Sequence, residues 1–312
     1  MSALVQCIPP SKEFATSVEK EPFLFKHNLA QHDLFSRDAL KRLIEQIGAL
    51  PPKNPRTGRT VTRGFFITKE AGSLEWGSPE FQEALNKAYD HINLAGARIK
   101  LSSIHQIDSY AQVLAECVTD LSETTGVDFS RRFSRAIATL FITSPGEFTP
   151  YHIDQEVNFL LQIAGEKEVK VFDGSDRTVV THQNLEGFWT GNHFIEEKPG
   201  SVSKSFMLTP GYGVHHPPFF PHNVRVGESM SVSLSLGFQR AQFTEIEVSL
   251  LNAYLRKIGM NPRPPGENRG IDAVKSAIAR PTVRAKNAIL GSAGIPLSTL
   301  KNRFHDSEKR AS

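Results

Sequence analysis

The sequence predicts an α+β protein in which helices flank a central run of short strands. Three observations carry this. Apolar residues recur at helical spacing before residue 135. From about Arg135 to Phe238 the texture changes to short β-rich runs punctuated by Gly, Pro and Asp, as in a sandwich, barrel or jelly roll. After Gln239 the helical texture returns. At 312 residues, with 39% hydrophobic and 22% charged, the chain has the material for one large globular core.

The elements follow in order. The first ~20 residues read as an irregular lead-in. Ser36 is placed to cap a helix with Leu40, Leu43, Ile44 and Ile47 on one face. Ser78 and Pro79 open a second, with the stripe Phe81, Leu85, Ala88 and Ile92. A third is expected over residues 107–121, with Tyr110, Val113, Leu114, Cys117 and Leu121 inward. The expected strands are "AIATLFIT", "VNFLLQIA", "KEVKVFD", "SFMLTP", "HNVRV" and "MSVSLSLGF", and "GEK" reads as a hairpin turn between the second and third. "TEIEVSLLNAYLRKIG" carries a capping box, Thr244 with Glu247, and the stripe Ile246, Leu250, Leu251, Tyr254, Leu255 and Ile258. The end of the chain is expected to form one or two short helices. This divides the chain into an N-terminal lead-in with packed helices (1–134), a β core (135–240) and a helical, basic C-terminal region (241–312).

Composition narrows the function. Net charge is +3, too small to point to nucleic acid, although residues 256–312 hold 12 Lys/Arg against 4 Asp/Glu, a local +8. That excess reads as a solvated or partner-facing tail. Two cysteines, Cys7 and Cys117, support neither a disulfide framework nor a cysteine-based zinc site. The start shows no basic region followed by an apolar core, and no apolar run approaches the ~18 residues of a membrane span, so a cytoplasmic protein is expected.

The chemistry concentrates in "TPYHIDQEVNFLLQIAGEK", residues 149–167. On an extended chain, residues two apart face the same side, so His152 and Asp154 converge on one point. Isolated His-x-Asp triplets arise by chance in many proteins, and two ligands do not make a stable site. A third is available in "GVHHPPFFPHNVRV" from His215, His216 or His222. His222 is favoured, because it follows a proline-rich corner and opens a strand. Two histidines and a carboxylate with open positions form the facial triad of non-haem Fe(II) oxygenases. On the outgoing strand Lys167 shares a face with Val169 and Val171, the apolar side. An inward ammonium calls for an anionic partner. Beside a facial triad this suggests a dicarboxylate, chelating the metal at one end and meeting Lys167 at the other, with Thr149, Asn158 and Gln162 available for hydrogen bonds.

These residues resemble the JmjC branch of the Fe(II)- and 2-oxoglutarate-dependent oxygenases in the cupin superfamily, nearest to its asparaginyl hydroxylases. The resemblance runs without a gap from Thr149 to Lys167 and covers roughly residues 135–238. It implies a double-stranded β-helix, the cupin jelly roll. It implies that His152, Asp154 and His222 bind iron, the last placed after Pro210, Gly211, Pro217, Pro218 and Pro221. It also implies that Lys167 and Thr149 hold the distal carboxylate of 2-oxoglutarate and that Asn158 and Gln162 line the pocket. The implied reaction couples decarboxylation of 2-oxoglutarate, with O2, to hydroxylation of a protein side chain or small metabolite. The alternative is a non-catalytic cupin that senses metal or 2-oxoglutarate, or a transcriptional regulator. "EGFWTGNHF", with Trp189, is a lid candidate, and residues 244–258 are a candidate homodimer contact.

Overall fold

The computed structural model describes residues 6–49, 65–67, 74, 78–94, 96–189, 191–192, 194–198, 200–240, 244–290, 295–297 and 299–300. The helices are α1 (Lys12–Ser17), α2 (Arg37–Ala49), α3 (Pro79–Asp90), α4 (Asp108–Thr125), α5 (Phe129–Arg132), α6 (His182–Phe188), α7 (Thr244–Lys257) and α8 (Arg269–Leu290). The strands are β1 (Phe23–Lys26), β2 (Phe65–Ile67), β3 (Arg98–Ser102), β4 (Phe133–Thr143), β5 (Phe148–His152), β6 (Val157–Ala164), β7 (Lys167–Phe172), β8 (Ser203–Leu208), β9 (Tyr212–His216), β10 (His222–Val226), β11 (Ser231–Arg240) and β12 (Ile295–Pro296).

The strands form two antiparallel sheets. The larger has the order β1-β9-β6-β11-β4-β3-β2, with β12 added on β4, and the smaller has the order β5-β10-β7-β8. Successive strands of the core alternate between them: β5 is in the smaller sheet, β6 in the larger, β7 and β8 in the smaller, β9 in the larger, β10 in the smaller and β11 in the larger. This is a jelly roll. The expected "GEK" hairpin is corrected by it. β6 pairs with β9 and β11, while β7 pairs with β8 and β10, so the turn at residues 165–166 crosses from one sheet to the other. Gly165 makes the crossing with φ +66°, and an added Cβ would run into the carbonyl of Met230. Strands β1, β2 and β3 come from before residue 134, so the N-terminal region supplies part of the larger sheet itself.

Period-2 alternation divides the larger sheet into two faces. Its outer face presents Val157, Phe159, Leu161 and Ile163 from β6 and Val232, Leu234, Leu236 and Phe238 from β11. The N-terminal helices cover that face with Leu40, Leu43 and Ile44 from α2, Phe81, Leu85 and Tyr89 from α3, and Tyr110, Leu114, Cys117 and Leu121 from α4. These include the expected inward residues; Ile47's side chain lies outside the described residues. Ser36 and Ser78 accept from the amides of Ala39 and Phe81, as capping residues do.

A second apolar cluster covers the outside of the smaller sheet. Tyr151 and Phe172 pack there against Leu185, Phe188 and Trp189, with Ile246 and Leu250 of α7 and Val283 of α8. The apolar stripe expected along α7 is buried only in its first half. Ile246 and Leu250 are buried, whereas Tyr254 and Ile258 are exposed. The helix is turned toward α8 by a polar junction, in which Arg280 donates to Glu247 at 2.9 Å and Ser276 also bonds Glu247. The same junction, with buried Ala279 and Val283, carries α8 past Pro281 as one 22-residue helix where shorter pieces were expected. Among the described residues no helix is long and apolar enough to cross a membrane.

Candidate metal centre and interior pocket

The three sequence-predicted ligands meet because β5 and β10 are antiparallel neighbours. His222 lies directly opposite His152, and direct cross-strand partners project to the same face of a sheet. The imidazole centroids are 4.1 Å apart. Asp154 follows β5 and turns back toward both, with its Oδ2 3.8 Å from His152 Nε2 and 3.7 Å from His222 Nε2. One ligand atom from each residue lies within 4.8 Å of the others, a triangle that one ion with bonds of ~2.1 Å closes after small side-chain rotations.

Backbone carbonyls set the tautomers. His152 Nδ1 sits 2.7 Å from the Pro150 carbonyl oxygen, and His222 Nδ1 sits 3.0 Å from that of Phe220. A carbonyl only accepts, so each Nδ1 carries the proton and each Nε2 lone pair faces Asp154. Burial, reinforced by the neighbouring His152, pushes His222 down to about 4, so the ring is neutral near pH 7. Burial pushes Asp154 up, but His152, His222 and His216 outweigh it and hold the carboxyl below its usual range. Two imidazole nitrogens and one carboxylate, with Asp154 38% exposed and the histidines more enclosed, fit a ferrous ion that keeps open positions toward solvent.

The interior between the sheets is polar on one side. Asn158 and Gln162 of β6 face it beside Ser231, Ser233 and Ser235 of β11. Ser235 donates to Asn158 Oδ1 at 2.9 Å. Gln162 is fully enclosed: its amide nitrogen donates to the carbonyls of Ala164 and Gly165 and to Ser231 Oγ, and its oxygen accepts from Ser233. Its hydrogen bonds thus brace the turn from β6 to β7 rather than extend into open space. Sequence reasoning did not single out the three serines. The signal was the strict alternation of "SVSLSLGF", which sends every serine inward and every large apolar residue outward.

Thr149 reaches the interior through an irregularity. His222 pairs with His152 but Val224 pairs with Thr149, so β5 holds one extra residue at a bulge. Thr149 and His152, three apart, therefore face the same way. Lys167 opens β7 opposite Val226 of β10 and Leu208 of β8, on the face of Val169 and Val171. It is 4% exposed, and burial pushes its ammonium down to about 7. Among the described residues it meets no hydrogen-bond or ion-pair partner.

The other two candidate histidines separate cleanly. His215 points to the outer face, its ring tilted against Phe159 at 4.6 Å, with Nδ1 bonded to the Asn158 carbonyl and Nε2 accepting from the Glu19 amide. Both nitrogens are taken, which removes it as a ligand. His216 points inward, its ring 4.3 Å from His222, but is not part of the three-residue cluster. The lid candidate is a built element. Its first three residues, 186–188, close α6, which is opened by a capping box at Thr181, and Trp189 is buried against the smaller sheet. Farther along, Phe194 bridges His152 and is exposed at the mouth of the site; Thr190 and His193 lie outside the described residues.

Residues 118–246 match the family model described as JmjC domain. No curated protein has a sequence that matches the chain. Among solved structures, the chain is similar to E. coli YcfD at 16% identity and a TM-score of 0.49, covering 88% of this chain and 68% of that one. YcfD described as a ribosomal oxygenase in complex with cobalt and 2-oxoglutarate aligns at 16% identity and a TM-score of 0.46, over 87% and 65%. A cupin superfamily protein from Desulfitobacterium hafniense aligns at 17% identity and a TM-score of 0.22, over 34% and 68%. Residues 118–246 carry a JmjC domain.

Proposed function

We propose that the protein is an Fe(II)- and 2-oxoglutarate-dependent dioxygenase that hydroxylates a C–H bond of a protein side chain or a small metabolite. One observation carries this reading: the His152–Asp154–His222 cluster and the buried cation of Lys167, without a partner among the described residues, lie on the interior face of the same small sheet. Their rows on β10 are those of His222 and Val226, four residues or about 13 Å of strand apart. A flexible lysine stem and a five-carbon diacid together suit that separation. His152, Asp154 and His222 hold the ferrous ion, which supplies the one-electron chemistry needed to use O2. Lys167 receives the distal carboxylate of 2-oxoglutarate as a charge-assisted pair, with Thr149 and Asn158 alongside. The apolar residues Val169, Val171, Leu160 and Val214 exclude water from the buried end, and the exposed side of Asp154 is where substrate enters.

The test is anaerobic addition of Fe(II) and then 2-oxoglutarate, following the weak metal-to-ligand charge-transfer band. The wild type gives the band, and His222→Ala binds metal at least ~100-fold more weakly and gives none. No band in the wild type overturns the reading. Tight 2-oxoglutarate binding without succinate release in the presence of substrate pools would favour the sensor.

A homodimer through residues 244–258 belongs to the same proposal. Tyr254 and Ile258 leave α7 exposed, and Ile271, Val274 and Ile278 form an exposed apolar stripe on α8. Light scattering should give a dimer mass that falls to monomer in Ile258→Glu with Ile278→Glu; a monomeric wild type discards it.

A further inference from the structure

His216 is an interior polar residue that the reading above leaves without a task. It closes β9, stands directly opposite Asn158 of β6, and is 2% exposed. Its ring lies 4.3 Å from that of His222 at an interplanar angle of 36°. Among the described residues its buried Nδ1 makes no hydrogen bond of ordinary geometry, and the Pro217 carbonyl is the backbone acceptor beside the ring. One residue earlier, His215 has both ring nitrogens satisfied, so the strand is able to build a paired histidine and does not do so here. An unpaired buried ring nitrogen is a standing cost to the fold, and the cost is recovered when a ligand supplies the missing partner. A neutral imidazole has one N–H to offer.

Position decides which part of a ligand it meets. His216 touches the metal ligand His222, whereas Lys167 lies four residues along β10 from the His222 row. We propose that His216 is a cosubstrate-binding residue whose Nδ1 donates a hydrogen bond to the metal-chelating, 2-oxo-carboxylate end of the bound diacid. This rests on the 2-oxoglutarate reading of the site and adds a polar anchor at the end opposite Lys167.

Two substitutions test it in the full-length protein loaded with Co(II). His216→Phe keeps a flat ring against His222 and removes the nitrogens; His216→Asn sets an amide nitrogen close to where Nδ1 stood. Calorimetry would measure affinity for the metal, for 2-oxoglutarate, and for oxalate, which has the chelating end but no arm to reach Lys167. The Phe variant is expected to bind metal within about 3-fold of wild type and to lose at least ~10-fold for both 2-oxoglutarate and oxalate. The Asn variant should recover most of that loss. In Lys167→Met the pattern should split, with 2-oxoglutarate weakened and oxalate unchanged.

Normal binding of both acids by the Phe variant overturns this assignment and leaves the reading of the site intact. Loss of metal affinity in parallel with the acids also overturns it, since His216 would then be a brace for His222. A wild type that binds Co(II) but no 2-oxoglutarate overturns the assignment and the reading together.

Discussion

His215 and His216 are consecutive, both almost fully buried, and serve opposite sides of one sheet. The first lies among Phe23 and Phe159 with both nitrogens bonded. The second lies between the sheets against His222 of the candidate metal centre, with a nitrogen that finds no partner among the described residues. The same division runs along β11, where Val232, Leu234, Leu236 and Phe238 face the helices and Ser231, Ser233 and Ser235 face the interior. Burial by itself thus separates nothing here; satisfaction does. At His215 the outer face is closed in both packing and hydrogen bonding. On the inner face Lys167 finds no partner among the described residues, which is the feature the proposed cosubstrate would complete.

The comparison can be broken at its inner side first. Lys167→Met should weaken 2-oxoglutarate binding by ~100-fold, the scale of one charge-assisted bond, measured by calorimetry. The same change should raise stability by about 2 kcal/mol at pH 6, because the folded protein no longer buries a bare ammonium. The pH dependence follows from the depressed value of about 7. Between about 7 and the ordinary lysine value of ~10.4 the unfolded chain binds the proton and the folded chain does not, so the destabilisation fades as pH rises. The stability gap between wild type and Lys167→Met should therefore narrow from pH 6 to pH 10. Affinity for 2-oxoglutarate should fall above pH 7, where binding must first restore the proton. A gap that is flat with pH would show that Lys167 is paired in the free protein.

The join between the two sheets comes next. Gly165→Ala puts a side chain at φ +66° and into the Met230 carbonyl, so it should cost about 3 kcal/mol in denaturant unfolding. A loss under ~0.5 kcal/mol would mean that the turn relaxes without strain. The smallest effect sharpens the outer face. His215→Leu should cost about 2 kcal/mol by freeing the Glu19 amide and the Asn158 carbonyl, while metal and 2-oxoglutarate affinities stay unchanged. A changed metal affinity would place His215 in the site after all.

Much of the fold was legible because its signals are local. The caps at Ser36 and Ser78, the apolar stripes of α2 to α4, and six core strands rest on spacing within a dozen residues. The inward lysine was legible from its parity with Val169 and Val171. The "GEK" turn was misread because Gly-turn chemistry looks the same whether the chain folds back in one sheet or crosses to another. The second half of the α7 stripe was misread because amphipathic spacing marks an apolar face without marking what covers it. Trp189 gave no signal of its burial, which depends on α7 and the smaller sheet arriving beside it.

By itself the sequence determined which residues share a face, since side-chain alternation and helical period are properties of the chain: His152 with its neighbours, the serines of β11 and Lys167 with its valines. Only the tertiary structure decided which strands lie side by side. That is why His222 rather than His215 stands opposite His152, and why a bulge in β5 brings Thr149 inward. Strand partnership is a long-range choice, settled by how the two sheets close over a common interior, and no local period records it.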